Sequence, residues 1–166
     1  YQLAVEKKQR IKNELSKLTE NLLKDNYEVY YVVQTKKDRD FTKEIYNQFS
    51  NNNRVKYYEN YDPLDLIKIY SSCDLLVGMR LHSIILALIT GTTCIGYFDK
   101  NWGLKNPGIL ETYHQVYKYI DNDSGDLYSI IEQQLLEENL AANRKNIFKE
   151  IIIYRKEVSS FINLVL

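Results

Sequence analysis

The clearest pattern near the start of the chain is a stripe of apolar residues separated by polar ones. Ile11, Leu15, Leu18 and Leu22 recur at spacings of four, three and four residues, so they share one face of a helix. The residues between them are mostly charged or polar, which suits a face in water. The pattern predicts an amphipathic helix within residues 3–24.

Further along, short apolar runs of strand length alternate with segments of helical spacing. The runs are rich in β-branched and aromatic residues, and several lack polar interruptions, which is typical of strands buried on both faces. They predict five strands, at 27–35, 55–58, 74–79, 92–98 and 116–120. Helical patterns occupy 41–49, 63–72 and 82–90, and two more follow the last strand, the second of them reaching 142–164.

Polar residues mark where two of these helices begin. Asp62 precedes Pro63, which puts a capping carboxylate and a proline where helix N-termini prefer them. Asp40 stands directly before the pattern of 41–49, and its simplest role is the N-cap of that helix.

The repeated strand–helix alternation predicts the fold class. Strands that alternate with helices of about ten residues form a parallel sheet whose crossover helices cover both faces. We therefore expect an α/β fold: a Rossmann-like parallel sheet with helices on both faces and a helical C-terminus. The 166 residues are enough for one domain with its own core, so we expect 1–166 to form a single Rossmann-like domain.

Composition narrows the classes of partner. Lys plus Arg and Asp plus Glu both number 22, so no excess of positive charge favours nucleic acid or an anionic membrane as a ligand. No apolar stretch approaches the roughly 20 residues that cross a bilayer. Cys73 and Cys94 lie beside apolar runs, so we expect reduced core thiols and a cytosolic location. Two cysteines alone form no metal site.

Two residues with binding chemistry stand at the join between a buried strand and the next helix. Arg80 follows the strand 74–79, and His82 begins the helix 82–90. Ligands of open parallel sheets bind beyond the carboxyl ends of the strands. Two residues apart in extended geometry, Arg80 and His82 leave the backbone on one side, with Leu81 directed to the core. The helix N-terminus adds free N–H groups, so the constellation suits an anion such as a phosphate or a carboxylate.

The next strand contributes a second set of candidates at the same edge. It ends in Tyr97, Asp99 and Lys100, which the strand-end rule places beside Arg80 and His82. Lys100 would add a second cation, and Asp99 would orient Lys100 or Arg80. Such a site could hold a phosphorylated carboxylic acid while a proton is moved.

Structural roles compete with this hypothesis. An arginine at a strand end is often the partner of a nearby carboxylate, and a histidine at a helix start is often a cap or a core residue. Lys100 taken alone is interpreted as a lysine exposed to solvent. His114 lies in a predicted loop, and the sequence indicates no partner for it.

The stretch "SSCDLLVGMRLHSIILALITGTTCIGYFDKN" (71–101) resembles the signature of the polysaccharide pyruvyl transferase family. Members carry an Asp-apolar-apolar-Gly-Met-Arg-Leu-His turn from strand to helix and, about fifteen residues later, a strand that ends in Tyr-x-x-Lys. Both parts are present, the second as Tyr97 and Lys100. Close resemblance covers about 45 residues, from 60 to 105; elsewhere the order of elements agrees.

The resemblance implies an architecture and an activity. Family members have two Rossmann-like domains of the glycosyltransferase B type, and this chain would be the C-terminal, donor-binding domain, without its N-terminal partner domain. The reaction transfers the pyruvyl group of phosphoenolpyruvate to a sugar of a bacterial cell-surface polysaccharide or its precursor, as a ketal. Arg80 would bind the phosphate or carboxylate, His82 would be the general acid or base, and Lys100 would add charge. The family implies no metal or other cofactor.

Two other functions remain open from the sequence. One is a nucleotide-sugar glycosyltransferase of the same fold, in which Arg80 would bind a diphosphate. The other is a non-catalytic module that binds an anion or a partner. For the transferase the expected location is cytoplasmic, with peripheral association at the inner face of the membrane as a further option, and we expect no transmembrane segment and no nucleic-acid partner.

Overall fold

The computed structural model describes residues 5–121 and 125–165. Five strands and seven helices run through these ranges, with 3₁₀ turns at Lys36–Asp38 and Lys100–Trp102. The strands are β1 Val29–Val33, β2 Val55–Glu59, β3 Leu75–Gly78, β4 Thr93–Phe98 and β5 Val116–Tyr119. The helices are α1 Val5–Lys24, α2 Arg39–Tyr46, α3 Pro63–Ser71, α4 Leu81–Ile89, α5 Lys105–Thr112, α6 Leu127–Gln134 and α7 Glu137–Val165.

All ladders between these strands are parallel, as the strand–helix alternation predicts. β1 pairs with β2 in a register that matches Val29 with Val55. β4 lies between β3 and β5, and Gly78 of β3 is level with Gly96 of β4. The predicted α/β class with parallel strands and a helical C-terminus is confirmed.

The ladders form two sheets, whereas the sequence suggested one. Within the described ranges, β1 and β2 make one sheet and β3, β4 and β5 make another. Residues of β1 and β3 line a common cavity. No ladder pairs β1 with β3 in the described ranges.

Side chains of β4 alternate between two apolar layers, one on each face of the three-stranded sheet. Cys94 and Phe98 pack with apolar residues of α3, α4, α5 and α7. Ile95 and Tyr97 pack with apolar residues of α1 and α6. Because every residue of β4 is buried, the strand needs the unbroken apolar run that its sequence shows. The prediction of helices on both faces is confirmed.

The capping residues predicted from the sequence are correct for the start of α3 and wrong for the start of α2. Asp62 caps α3 and accepts hydrogen bonds from the backbone N–H groups of Leu64 at 2.8 Å and Asp65 at 3.3 Å, as predicted. The assignment of Asp40 as an N-cap is wrong. α2 begins at Arg39, so Asp40 lies inside its first turn, and Asp38 occupies the N-cap position without a side-chain capping bond.

Two further expectations concern the cysteines and the membrane. Cys73 and Cys94 are free thiols, as predicted; Cys94 is buried and contacts the carbonyl oxygen of Thr92 at 3.3 Å. Burial raises the pKa of both thiols. Among the helices that the structure describes, none combines the length and the apolar character needed to span a bilayer.

Gly96 lies in the central strand at a position with no room for a side chain, which makes it a test of the packing. A methyl group at this position would lie 2.5 Å from Cδ1 of Leu110 and would also overlap the ring of Phe98. We predict that Gly96→Ala lowers the free energy of unfolding by about 1–3 kcal/mol, because overpacking forces the neighbours to move. Urea denaturation measures the effect.

Gly108→Ala is the matched control. It lies in α5, and an added methyl group there has no neighbour within 4 Å. Alanine favours the helix by about 0.5–1 kcal/mol, so this variant should be equal to or more stable than the wild type. Equal stability of the two variants would contradict the described packing of β4.

Candidate functional site

A cavity of about 860 Å³ runs along β1 and β3, from the segments before these strands to the segments after their carboxyl ends. Helices α1, α2 and α6 contribute largely apolar side chains to it, and the segments after β1 and β3 contribute polar ones. Asp38, Arg80 and His82 belong to the polar part of the lining. A second hollow, of about 750 Å³, is formed by the surface turn 48–54, and Arg54 is the one charged residue in its lining. Apolar walls with a few convergent polar groups favour the first cavity as the ligand site.

Arg80 begins helix α4 and is held by a carboxylate from another part of the chain. Its backbone is extended at the N-cap position, and its carbonyl oxygen accepts a hydrogen bond from Ser83 Oγ at 2.8 Å. Its guanidinium donates through Nε and Nη2 to both carboxylate oxygens of Asp38, the Nη2 bond measuring 2.5 Å. This bond to Asp38 raises the pKa of Arg80. The pair is bidentate and leaves Nη1 for a ligand.

His82 is the second residue of α4 and lines the same cavity. It is exposed, and within the part of the chain that the structure describes its imidazole has no hydrogen bond or ion pair. The first N–H groups of α4 receive no side-chain cap. Leu81 also lines the cavity and is only half-buried, so the expectation that it points into the core is wrong.

Tyr97 packs on the side of β4 that α1 and α6 cover, and it is not part of the cavity lining. It is fully buried, and its hydroxyl donates to the carboxylate of Glu14 in α1. The ammonium group of Lys118 donates to the same carboxylate at 2.9 Å and lies 5.5 Å from the centre of the Tyr97 ring. Burial, together with the bond to Glu14, raises the pKa of Tyr97. Tyr97 therefore anchors α1 to β4 and does not line the cavity with Arg80 and His82.

Asp99 also binds α1, which corrects the expectation that it orients Lys100 or Arg80. Its carboxylate lies 2.8 Å from the ammonium group of Lys7 and accepts the backbone N–H of Asn101 at 2.9 Å. Burial opposes ionisation of Asp99, but the bonds from Lys7 and Asn101 outweigh it and lower its pKa. The partner is an ammonium group 92 positions away in the sequence.

Lys100 lies at the predicted edge of the sheet but outside the lining of the cavity. Its ammonium group lies 5.6 Å from the centre of the Tyr119 ring. Arg80 and His82 thus share the lining of one cavity, to which Tyr97, Asp99 and Lys100 do not contribute.

The residue that sequence reasoning missed is Asp38. It follows β1, so the strand-end rule that found Arg80 could have found it as well. Its pairing with Arg80 spans 42 positions and has no local signal. In the described ranges, no three His, Cys, Asp or Glu side chains gather as metal ligands would.

Comparison of the sequence with known proteins and protein families gives one match, to a family model. The model of the family described as "Polysaccharide pyruvyl transferase" matches residues 3–101, which contain α1 to β4 and both parts of the 71–101 motif. The resemblance seen in that motif is confirmed. No curated protein and no solved structure matches the chain at a significant level.

The Lys7–Asp99 ion pair generates a pH-dependent prediction. Because the pKa of Asp99 is depressed below its ordinary value of 3.8, the ionised carboxylate stabilises the folded state above that pH. Lys7→Met removes the cation and leaves Asp99 buried without it. We predict that the variant is less stable than the wild type at pH 7 and that the difference shrinks as the pH falls below 3.8.

Thermal unfolding between pH 2 and 7 measures this difference. Lys8→Met is the matched control, because Lys8 is the exposed neighbour of Lys7 and should leave the profile unchanged. Lys7 also bonds to Asp121 at 2.7 Å, so Lys7→Met removes this contact as well. A constant difference across the pH range would contradict the ion pair.

Proposed function

Because this chain belongs to the polysaccharide pyruvyl transferase family, we propose that it binds phosphoenolpyruvate and contributes to the transfer of its pyruvyl group to a saccharide. The product would be a pyruvate ketal on a sugar of a cell-surface polysaccharide or its precursor. The observation that carries the proposal is that Arg80 and His82 line one cavity at the N-terminus of α4.

The donor-binding part of the proposal rests on charge. Phosphoenolpyruvate carries a carboxylate and a phosphate, and both accept hydrogen bonds. Arg80 still has N–H groups that Asp38 does not use, and the first turn of α4 offers backbone N–H groups and the positive end of a helix dipole. A guanidinium already oriented by Asp38 loses little freedom when it binds an anion.

The chemical part rests on His82. Ketal formation joins C2 of phosphoenolpyruvate to two sugar oxygens and breaks its bond to the phosphate oxygen. Of the two hydroxyl protons, one ends on C3, which becomes a methyl group, and the other leaves with the phosphate. Imidazole is the side chain most often used for such proton transfers. His82 lines the cavity without a competing partner among the described residues, so it is the group we assign to this step.

Tyr97, Asp99 and Lys100, the other candidate site residues, have different roles in the proposed function. Tyr97 and Asp99 support the site by anchoring α1, through Glu14 and Lys7. A contribution of positive charge by Lys100 to the donor stays a prediction from the motif. The two-domain arrangement, the role of 1–166 as its donor-binding half, the cytoplasmic location and independence from a cofactor also stay predictions from the resemblance.

Turnover by a His82 variant tests the proposal. We predict that, in the two-domain enzyme that the resemblance implies, His82→Asn lowers the rate of phosphate release from phosphoenolpyruvate, in the presence of a saccharide acceptor, by about 10²–10⁴-fold, the range for loss of a general acid or base. His114→Asn is the matched control. It replaces the only other histidine, which lies outside the cavity at 3.4 Å from Glu150, and it should keep the wild-type rate.

Donor specificity separates this function from that of a nucleotide-sugar glycosyltransferase. Calorimetric titration of the wild type with phosphoenolpyruvate and with UDP-glucose provides the comparison. Binding of UDP-glucose but not of phosphoenolpyruvate, or full turnover by His82→Asn at saturating donor, would contradict the proposed function.

A further inference from the structure

Two buried oxygen atoms directly after β1 have no hydrogen-bond partner in the part of the chain that the structure describes. They are Oε1 of Gln34 and Oγ1 of Thr35. Both residues line the cavity that holds Arg80 and His82. Buried polar atoms are almost always paired, because an unpaired one costs stability. A protein that keeps two of them in a ligand cavity invites a functional explanation.

A threonine elsewhere in the lining has its hydroxyl group paired, so a position in the cavity wall does not by itself leave a hydroxyl unpaired. Thr19 also lines the cavity, and its Oγ1 bonds to the carbonyl oxygen of Leu15 at 2.9 Å and to the Tyr31 hydroxyl at 2.6 Å. The unpaired atoms are thus confined to the segment after β1. Asp38, in the same segment, contributes a carboxylate to the same lining.

The polar segments of the lining that follow β1 and β3 differ in hydrogen-bonding character. Arg80 and the first turn of α4 provide donors, which suit an anion. Gln34 Oε1 and the carboxylate of Asp38 are acceptors, and Thr35 Oγ1 can accept as well. Ionised phosphoenolpyruvate has acceptor oxygens only, so it cannot pair with Oε1 of Gln34, although it could accept a hydrogen bond from the Thr35 hydroxyl. The partner of Gln34 Oε1 must bring O–H or N–H groups, and such a partner can also donate to Thr35 Oγ1.

We propose that Gln34 and Thr35 form a subsite that accepts hydrogen bonds from sugar hydroxyl groups, and that under the proposed function this sugar is the saccharide acceptor. The subsite would place the acceptor hydroxyls in the same cavity as the donor. Gln34 and Thr35 are then specificity-determining residues for the acceptor, separate from the anion site at Arg80.

Glycoside binding by two apolar variants tests the subsite. The variants are Gln34→Leu and Thr35→Val, which remove the oxygens with little change in size. The probes are the methyl glycosides of glucose, galactose and mannose, observed by saturation-transfer NMR in the presence of saturating phosphoenolpyruvate. We expect at least one glycoside to bind the wild type and each variant to weaken that binding by about 3–10-fold, the effect of one neutral hydrogen bond. The affinity for phosphoenolpyruvate should stay within about twofold of wild type, since the variants leave the donors of the anion site intact.

The midpoint of thermal unfolding gives a second readout. If Gln34 and Thr35 had only a structural role, their substitution would lower this midpoint, whereas a ligand subsite predicts that it rises. Removing an unpaired buried oxygen should raise the midpoint of unfolding by about 2–4 °C. Thr19→Val is the matched control, because it removes a hydroxyl that is already bonded. It should lower the midpoint and leave glycoside binding unchanged.

The outcomes separate the subsite from the proposed function. Loss of stability in both variants, or glycoside binding that is absent from the wild type or unchanged in the variants, overturns the subsite, even if phosphoenolpyruvate binds. If the variants instead weaken the binding of UDP-glucose, the sugar-hydroxyl subsite stands while the proposed donor and function fail.

Discussion

The ion pair between Arg80 and Asp38 links two sheets that no backbone ladder joins within the described residues. Asp38 belongs to the segment after β1, and Arg80 begins the helix after β3, so the pair connects the two sheets at their carboxyl ends. Its side chains are 42% and 32% exposed, and such pairs contribute about 0–1 kcal/mol to stability. Its importance is therefore geometric: it fixes the plane of the guanidinium at the cavity before a ligand arrives.

The rest of the fold positions this pair through packing on β4. The two apolar layers hold α1 and α6 on one face and α4 on the other, so the start of α4 is set by the core beneath it. Buried polar contacts add specificity on the α1 side, where Glu14 receives both the Tyr97 hydroxyl and the Lys118 ammonium group. These contacts suit a supporting role better than a catalytic one, because a buried hydroxyl that is already bonded meets no ligand.

Much of this architecture was predictable because it depends on local patterns. The parallel strands, the Asp62–Pro63 helix start and the placement of Arg80 and His82 at a strand end all follow from short stretches of sequence. The errors concern contacts between distant positions. The N-cap predicted at Asp40 is wrong, and no residue near Asp38 indicates that Arg80 is its partner. Asp99 binds Lys7, which depends on how α1 crosses β4. The separation of β1 from β3 likewise depends on tertiary packing.

The central claim is that an anionic donor binds beside Arg80 and His82, and the two histidines of the chain allow a direct measurement. With ¹³C-labelled histidine, the imidazole region of the NMR spectrum contains signals from His82 and His114 alone, and the His114→Asn variant assigns them. Titration with phosphoenolpyruvate should shift the His82 signal and leave that of His114 in place. Arg80→Lys should require about tenfold or more phosphoenolpyruvate for the same shift, because lysine lacks the planar fork that pairs with anions. An unmoved His82 signal at saturating phosphoenolpyruvate, or a shift of His114 alone, would contradict the account.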